Sequence, residues 1–135
     1  MAFDQTTTTQ AKYVALNYLA TGTLKMALYT AQASLDGSTT AYTTSNEVTG
    51  VGYTAGGKTL TGVTVTTANG VAYLSFDNVV WTPAAFTARG ALIYNTSLGN
   101  LAVAVLDFGS DKTAASSFTV QLPANTYTSA VVRIA

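Results

Sequence analysis

The sequence of 135 residues contains no cysteine and no histidine. Without cysteine there is no disulfide and no thiolate nucleophile, and without histidine the most common acid–base side chain of enzymes is missing. Together the two absences exclude the usual Cys/His zinc sites and both Cys-His and Ser-His catalysis. We therefore expect that the chain is not an enzyme and has no catalytic, cofactor-binding or metal-binding residues.

Charge is also scarce, because the six basic and six acidic residues cancel and make up only 9% of the chain. An average soluble domain has roughly 25%. No basic patch or charged tail indicates a nucleic-acid partner. Polarity comes mainly from 25 Thr residues, a residue that favours strands. A surface with so few charges is poorly protected against association, which favours a surface covered by other copies or partners.

Long apolar segments are missing as well. The longest uninterrupted apolar run is residues 101–106, too short to span a bilayer. The first five residues, MAFDQ, have neither the basic start nor the apolar centre of a signal peptide. We therefore expect no membrane partner and synthesis in the cytoplasm of the producing cell.

The N-terminal part differs from the rest in its hydrophobic period. Residues 11–20, AKYVALNYLA, have the spacing of a short helix, which Gly22 can end. Residues 1–12 include the uncharged run QTTTTQ. They predict an arm that is either flexible or ordered by a partner.

From residue 23 onward the period is two. About eight short strands are separated by turns rich in Gly, Asn, Asp and Ser, and Asn69-Gly70 is the strongest hairpin signal. Residues 101–108, LAVAVLDF, are apolar at both odd and even positions, so both sides of the strand are apolar. They predict a central strand covered on both faces. Because no linker divides the chain, we predict one all-β domain over residues 1–135. It is a β-sandwich or jelly-roll-like domain with one short N-terminal helix.

Residues 52–59, GYTAGGKT, match the phosphate-binding pattern G-x-x-x-x-G-K-[ST]. Residues 101–107 also resemble the apolar strand ending in Asp that holds magnesium in such enzymes. The phosphate loop requires a helix directly after its Lys-Thr, but LTGVTVTTANG is β-branched, alternating and broken by glycine. We therefore predict extended backbone after Thr59, an exposed Lys58, and glycine-rich turn chemistry at Gly50, Gly52, Gly56 and Gly57.

The other candidate sites are weak. Glu47 is the only glutamate, and Asp77 and Asp107 each end a predicted strand, where capping or turn roles outweigh a glycosidase pair. Asp107 and Asp111 have a spacing that calcium binding shares with many loops. Arg89 is the charged residue that we expect to be partly buried and paired. The aromatic residues, Trp81 with eight Tyr and five Phe, suit a core, an interface or a glycan contact.

Two segments together resemble a known protein group. The first is E-V-x-G-x-G-Y-x-x-G-G, residues 47–57, and the second is W-x-x-x-x-x-T-A-R-G-A-x-I-Y, residues 81–94. In this order, after a strand KMALYT, they are similar to segments of small structural proteins of tailed bacteriophages. The resemblance covers most of the chain after residue 23.

The resemblance implies a virion component rather than an enzyme. The role expected is a capsid decoration (cement) protein that binds the outer shell of the major capsid protein as a homo-oligomer, a trimer. A tail, baseplate or fibre-associated protein, or a carbohydrate-binding module that uses exposed Tyr and Trp81, remains an alternative. We expect residues 1–12 to contact the capsid or a neighbouring copy.

Overall fold

The computed structural model describes residues 5–123 and 126–135. In this part of the chain one α-helix, α1 (Thr9–Leu19), precedes nine strands. They are β1 (Leu24–Tyr29), β2 (Lys58–Thr59), β3 (Thr64–Ala68), β4 (Val71–Ser75), β5 (Val79–Trp81), β6 (Thr87–Asn95), β7 (Leu101–Thr113), β8 (Phe118–Val120) and β9 (Val132–Ile134). A 3₁₀ turn, Thr96–Leu98, links β6 to β7.

The strands form three antiparallel sheets, with the orders β2-β1-β6-β7, β3-β4-β9 and β5-β8. Strands account for 41% of the structure, and the helix is short. The predicted all-β class with one N-terminal helix is therefore confirmed. The strands number nine among the described residues, against the eight or so expected from the pattern.

One hydrophobic core joins the three sheets and the helix. Met26 and Ile93 come from the four-stranded sheet, Leu74 from the three-stranded sheet, Trp81 from the two-stranded sheet and Leu16 from α1. All five are almost completely buried. Elements that cover one shared core form a sandwich-like arrangement.

A second, smaller cluster lies on the other face of the four-stranded sheet. It contains Ala27, Tyr29, Leu92 and Tyr94, and side chains from the polar loop at residues 31–46 cover it. Both faces of β1 and β6 are therefore buried, although the loop that covers one of them has no continuous apolar pattern.

The prediction that residues 101–108 form a central strand is wrong. They belong to β7, which among the described residues is the last strand of its sheet. The central positions are taken by β1 and β6, and residues 91–95 of β6 are all buried. The two strands are similarly apolar, but the loop at residues 31–46 covers β6, whereas it bonds the backbone of β7 only near Leu101 and Ala102.

The hairpin predicted at Asn69-Gly70 is confirmed. These residues join the paired Ala68 and Val71, and their φ angles are 49° and 77°. Positive φ at both central residues is the geometry of a two-residue type I′ turn, which Asn-Gly favours.

The helix begins two residues before its predicted start, because Thr8 caps it. The Thr8 hydroxyl accepts a hydrogen bond from Ala11 N at 3.2 Å, as is typical of an N-cap. Lys12 Nζ donates to Gly70 O at 2.8 Å and ties α1 to the hairpin. The expected arm of residues 1–12 is therefore wrong for residues 9–12, whereas residues 5–8 are exposed. Residues 1–4 lie outside the described residues.

Among the described residues no helix is both long enough and apolar enough to cross a membrane.

Candidate functional site

The string GYTAGGKT ends in β2. Lys58 and Thr59 pair with β1, and the chain then passes into β3 without a helix. The expected extended backbone after Thr59 is confirmed. Lys58 is exposed, with its Nζ 6.0 Å from the centroid of the Trp81 ring. Because a phosphate loop needs a helix N-terminus at this point, the backbone here cannot form one.

The residue that organises this region is Glu47. It is buried, and its Oε1 accepts a hydrogen bond from the Tyr42 hydroxyl at 2.6 Å. Its Oε2 accepts from the Tyr53 hydroxyl and from Gly56 N, the latter at 2.8 Å. Three donors meet one carboxylate, which has only acceptors to offer. We call residues 47–57 the glycine loop, and Glu47 is the side chain that closes it.

Tyr53 connects this network to the sheet. Its hydroxyl donates to Glu47 and also accepts from Leu28 N of β1 at 2.9 Å. Its ring lies 6.2 Å from that of Trp81 and 5.8 Å from that of Phe86, measured between centroids. The Tyr53 hydroxyl is therefore hydrogen-bonded to the backbone of β1, and its ring packs in the aromatic core.

Two more tyrosines, Tyr94 and Tyr29, lie near Glu47. Tyr94 donates to Gly56 O at 2.6 Å and stacks on Tyr42 with 4.6 Å between ring centroids. Burial raises the pKa of Tyr42, Tyr53 and Tyr94 above its usual range, and the negative charge of Glu47 adds to the increase. Burial likewise raises the pKa of Tyr29 to about 12. The neutral hydroxyls are thereby held as donors.

Two glycines of the loop leave no room for a side chain. A Cβ at Gly57 would lie 1.8 Å from Met26 O, and one at Gly52 would lie 1.8 Å from Pro83 O. Gly50, Gly52, Gly56 and Gly57 all have positive φ. The interpretation of these glycines as turn and close-approach residues is confirmed, and it accounts for the string that resembled a phosphate loop.

The aspartates considered as catalytic have local partners. Asp77 N donates to Thr61 O at 2.9 Å, and Thr61 Oγ1 donates to the Asp77 carboxylate at 3.0 Å. Asp107 accepts from Gly109 N at 2.8 Å. The turn role expected of Asp107 is therefore confirmed, whereas Asp77 bonds Thr61, a residue sixteen positions earlier in the chain. In residues 5–123 and 126–135 no group of three or more Asp or Glu side chains is placed to hold a metal ion.

Arg89 is paired, as expected. Its Nε lies 3.4 Å from Asp107 Oδ1 on the neighbouring strand, and its side chain is about two-fifths exposed. The Gly109 N–H, and to a smaller degree Arg89, lower the pKa of the Asp107 carboxyl group. The pair is exposed and contributes little to stability.

The backbone of β7 has an open edge. Leu28 O accepts a hydrogen bond on the side of β1 away from β6. Leu28 pairs with Ala91, and Ala91 pairs with Leu106. Since successive residues point their backbone groups to opposite edges, Ala91 and Leu106 bond each other. The backbone groups of Val105 and Asp107 therefore point away from the sheet.

The open edge is bounded at both ends. Ala102 N donates to Thr40 O at 3.0 Å, so the loop at residues 31–46 covers the start of β7. The pairing with β6 shifts between Ile93 and Tyr94 and again beyond Gly90, and such bulges increase the local twist. We use "open edge" for residues 103–107 of β7.

Two shallow cavities meet at the open edge. The first, of about 240 Å³, is lined by Leu35, Arg89, Val105 and Asp107 among others. The second, of about 320 Å³, is lined by Asp36, Gly37, Thr39 and residues 102–105. Val105 borders both and is 37% exposed. A strand added at this edge would therefore find spaces for its side chains beside the backbone groups.

Sequence reasoning missed both the closure by Glu47 and the open edge. Glu47 had a signal, since it is the only glutamate and precedes a run of glycines with Tyr53 between them. The open edge had none, because the strand that occupies it was the best candidate for a central position.

Comparison of the chain with known protein families, with curated proteins and with solved structures finds no match.

Proposed function

We propose that the chain is a structural protein of a tailed-bacteriophage virion, a capsid decoration protein. It binds the outer surface of the assembled shell of major capsid protein, as a trimer at local three-fold positions. It stabilises the shell mechanically, because each copy adds modest contacts between neighbouring capsid proteins. Three linked weak sites bind far more tightly than one, which explains binding to the lattice rather than to free capsid protein.

One observation carries the proposal: the two segments that resemble phage structural proteins pack as one unit. Tyr53 of the first segment stacks on Trp81 of the second, and Tyr94 of the second donates to Gly56 O of the first. Val51 and Ala85 form a β-bridge between them. The motif pair is thus a physical unit, in which each half requires the residues of the other.

The surface is consistent with a part that works through contacts. It has few charges, an open edge on β7, and exposed apolar side chains on α1, namely Tyr13, Val14 and Tyr18. Each of these features favours association over an isolated monomer.

Shell binding tests the proposal. Purified chain is mixed with shells lacking it, or with unassembled major capsid protein, from the phage that carries this gene, and bound chain is measured after sedimentation. We expect saturable binding to shells alone, and imaging should place the chain at local three-fold positions. Equal binding to unassembled capsid protein, or density on the tail, would contradict the proposal.

The alternative of a tail or fibre module that binds glycans needs revision. Trp81 is 1% exposed and cannot stack on a sugar, so the idea that it serves as a glycan platform is wrong. Tyr18, 63% exposed on α1, keeps a reduced form of this alternative open. Binding to a glycan array that is lost in Tyr18→Ala would favour it over the capsid role.

A further inference from the structure

We propose that the open edge of β7 binds the N-terminal segment, residues 5–8, of a neighbouring copy as an added antiparallel or parallel strand. This deepens the proposed homo-oligomer by naming its contact, and it rests on that part of the proposed function. It does not depend on shell binding.

The edge offers backbone groups and little charge to repel a strand. Val105 and Asp107 direct their N–H and C=O groups outward, residues 103–106 carry no charge and no proline, and the Asp107 carboxylate is paired with Arg89. Proteins usually protect free edges with Lys, Pro or short strands, and β7 has 13 residues. An edge of this kind accepts an extended peptide through main-chain hydrogen bonds.

The N-terminal segment has the complementary properties. Residues 5–8 read QTTT, uncharged and dominated by β-branched Thr, which fits a strand. They are exposed, and Thr8 has extended backbone angles, φ −70° and ψ 150°. Thr side chains are small enough for the two shallow cavities beside Val105.

The segment leads into α1, which packs on a different sheet from the one that carries the open edge. This placement favours a neighbouring copy as the acceptor. α1 packs against β3, β4 and β9, and Lys12 ties its first turns to Gly70 of the β3–β4 hairpin. The open edge belongs to the four-stranded sheet. Contacts that run from one surface of a copy to a different surface of the next are heterologous, and they form rings such as trimers when the rotation between copies closes.

Pairing of β7 with β7 of a second copy is a weaker alternative. The bulges that bound residues 103–107 twist the edge, and twist of this kind prevents two rigid edges from aligning. A segment outside the helix can follow the twist. The two arrangements also differ in their requirement for residues 5–8, which makes them separable.

The test uses the full chain without shells, with native mass spectrometry as the readout. Wild type is expected to be a trimer. Deletion of residues 2–7, which keeps the Thr8 cap, removes the segment, and Val105→Lys places a charge on the edge. Both variants are expected to be monomers. Val80→Lys is the matched control, since Val80 is also a strand valine and is 40% exposed, and it should remain a trimer.

Mixing the two monomeric variants gives the decisive result. The deletion variant retains an edge and the Val105→Lys variant retains a segment, so together they should form a 1:1 heterodimer. A mixture that stays monomeric overturns the proposal, as does a monomeric wild type. A deletion variant that remains a trimer also overturns the proposal. It favours β7–β7 pairing if Val105→Lys is monomeric.

A crosslink covers the case in which Val105→Lys fails to fold. The chain has no cysteine, so Val105→Cys combined with Thr6→Cys or Thr7→Cys reports one contact. Oxidation should join copies into covalent trimers, because a disulfide requires Cα atoms about 4.4–6.8 Å apart. Thr21→Cys replaces the arm cysteine in the control and should give no trimer. Absence of crosslinks with both arm cysteines contradicts the proposal. Shell binding is measured separately, so either proposal can fail while the other stands.

Discussion

The four-stranded sheet has two edges, and they are protected in different ways. At one edge the glycine loop runs beside β1 and β2. There Glu47 accepts three hydrogen bonds, and the Tyr53 hydroxyl accepts one from Leu28 N. At the other edge, the loop at residues 31–46 bonds the backbone of β7 at Ala102 and lies beside residues 103–107 across two shallow cavities. One edge is closed by side chains of its own chain, while the other has backbone groups that point away from the sheet.

The difference shows where binding capacity can reside in a protein with few charges. The closed edge uses the single glutamate and four tyrosines, so its polar groups are already satisfied. In the described residues no buried side-chain N or O lacks a partner. For association, the open edge offers both backbone groups and the partly exposed apolar side chain of Val105.

Gly57→Ala should break the closed edge most severely. Its Cβ would lie 1.8 Å from Met26 O, at a φ of 80°. Because β1 backbone would have to move and the residue would be strained, we expect a loss of more than about 4 kcal/mol in the free energy of unfolding. Denaturant unfolding followed by circular dichroism measures it.

The control for this change is Gly37→Ala. A Cβ at Gly37 meets nothing within 4 Å, so stability should change by less than about 0.5 kcal/mol. A Gly57→Ala variant as stable as Gly37→Ala would show that the glycine loop does not need its close approach to β1.

Glu47→Ala should have the next largest effect. It removes the acceptor of Tyr42, Tyr53 and Gly56 N in a buried place, and we expect a loss of about 3 kcal/mol. Glu47→Gln keeps the shape and part of the hydrogen bonding, so its loss should be smaller, about 1.5–2 kcal/mol. Thermal and urea unfolding of both variants test this order. Equal stability of Glu47→Gln and wild type would mean that the carboxylate charge contributes nothing.

Much of the fold is readable from local sequence. The period of two gives the all-β class, Asn69-Gly70 gives the hairpin, and the β-branched residues after Thr59 exclude a phosphate loop. These features depend on neighbouring residues, where backbone sterics and turn geometry decide.

The order of strands in the sheet was not readable in the same way. β6 and β7 are both apolar, and their relative burial depends on side chains such as Leu35 and Tyr42 that lie far away in the sequence. The register shift beyond Gly90 also changes which residues of β6 face the core. The candidate site followed this pattern: the glycines of the loop were interpreted correctly, but the role of Glu47 requires three partners that only the fold brings together.

Alkaline pH gives the smallest and most specific contrast between the edges. Tyr29 is buried in β1, its hydroxyl donates to Thr43 O at 2.6 Å, and burial raises its pKa from 10.0 to about 12. A raised folded pKa means that the native state holds the proton more tightly. The stability from this group is therefore complete below pH 10 and is lost as the pH rises through about 12.

Tyr29→Phe removes both the hydrogen bond and the titration. At neutral pH the variant should be less stable by about 1 kcal/mol, and the difference from wild type should shrink as the pH rises from 10 toward 12, because only wild type loses this proton. Urea unfolding across this range measures the two curves. Tyr18→Phe, on the exposed side of α1, should follow wild type throughout. If the Tyr29→Phe and wild-type curves stay parallel, the buried hydroxyl does not hold its proton, and the closed edge depends on Glu47 and the glycines alone.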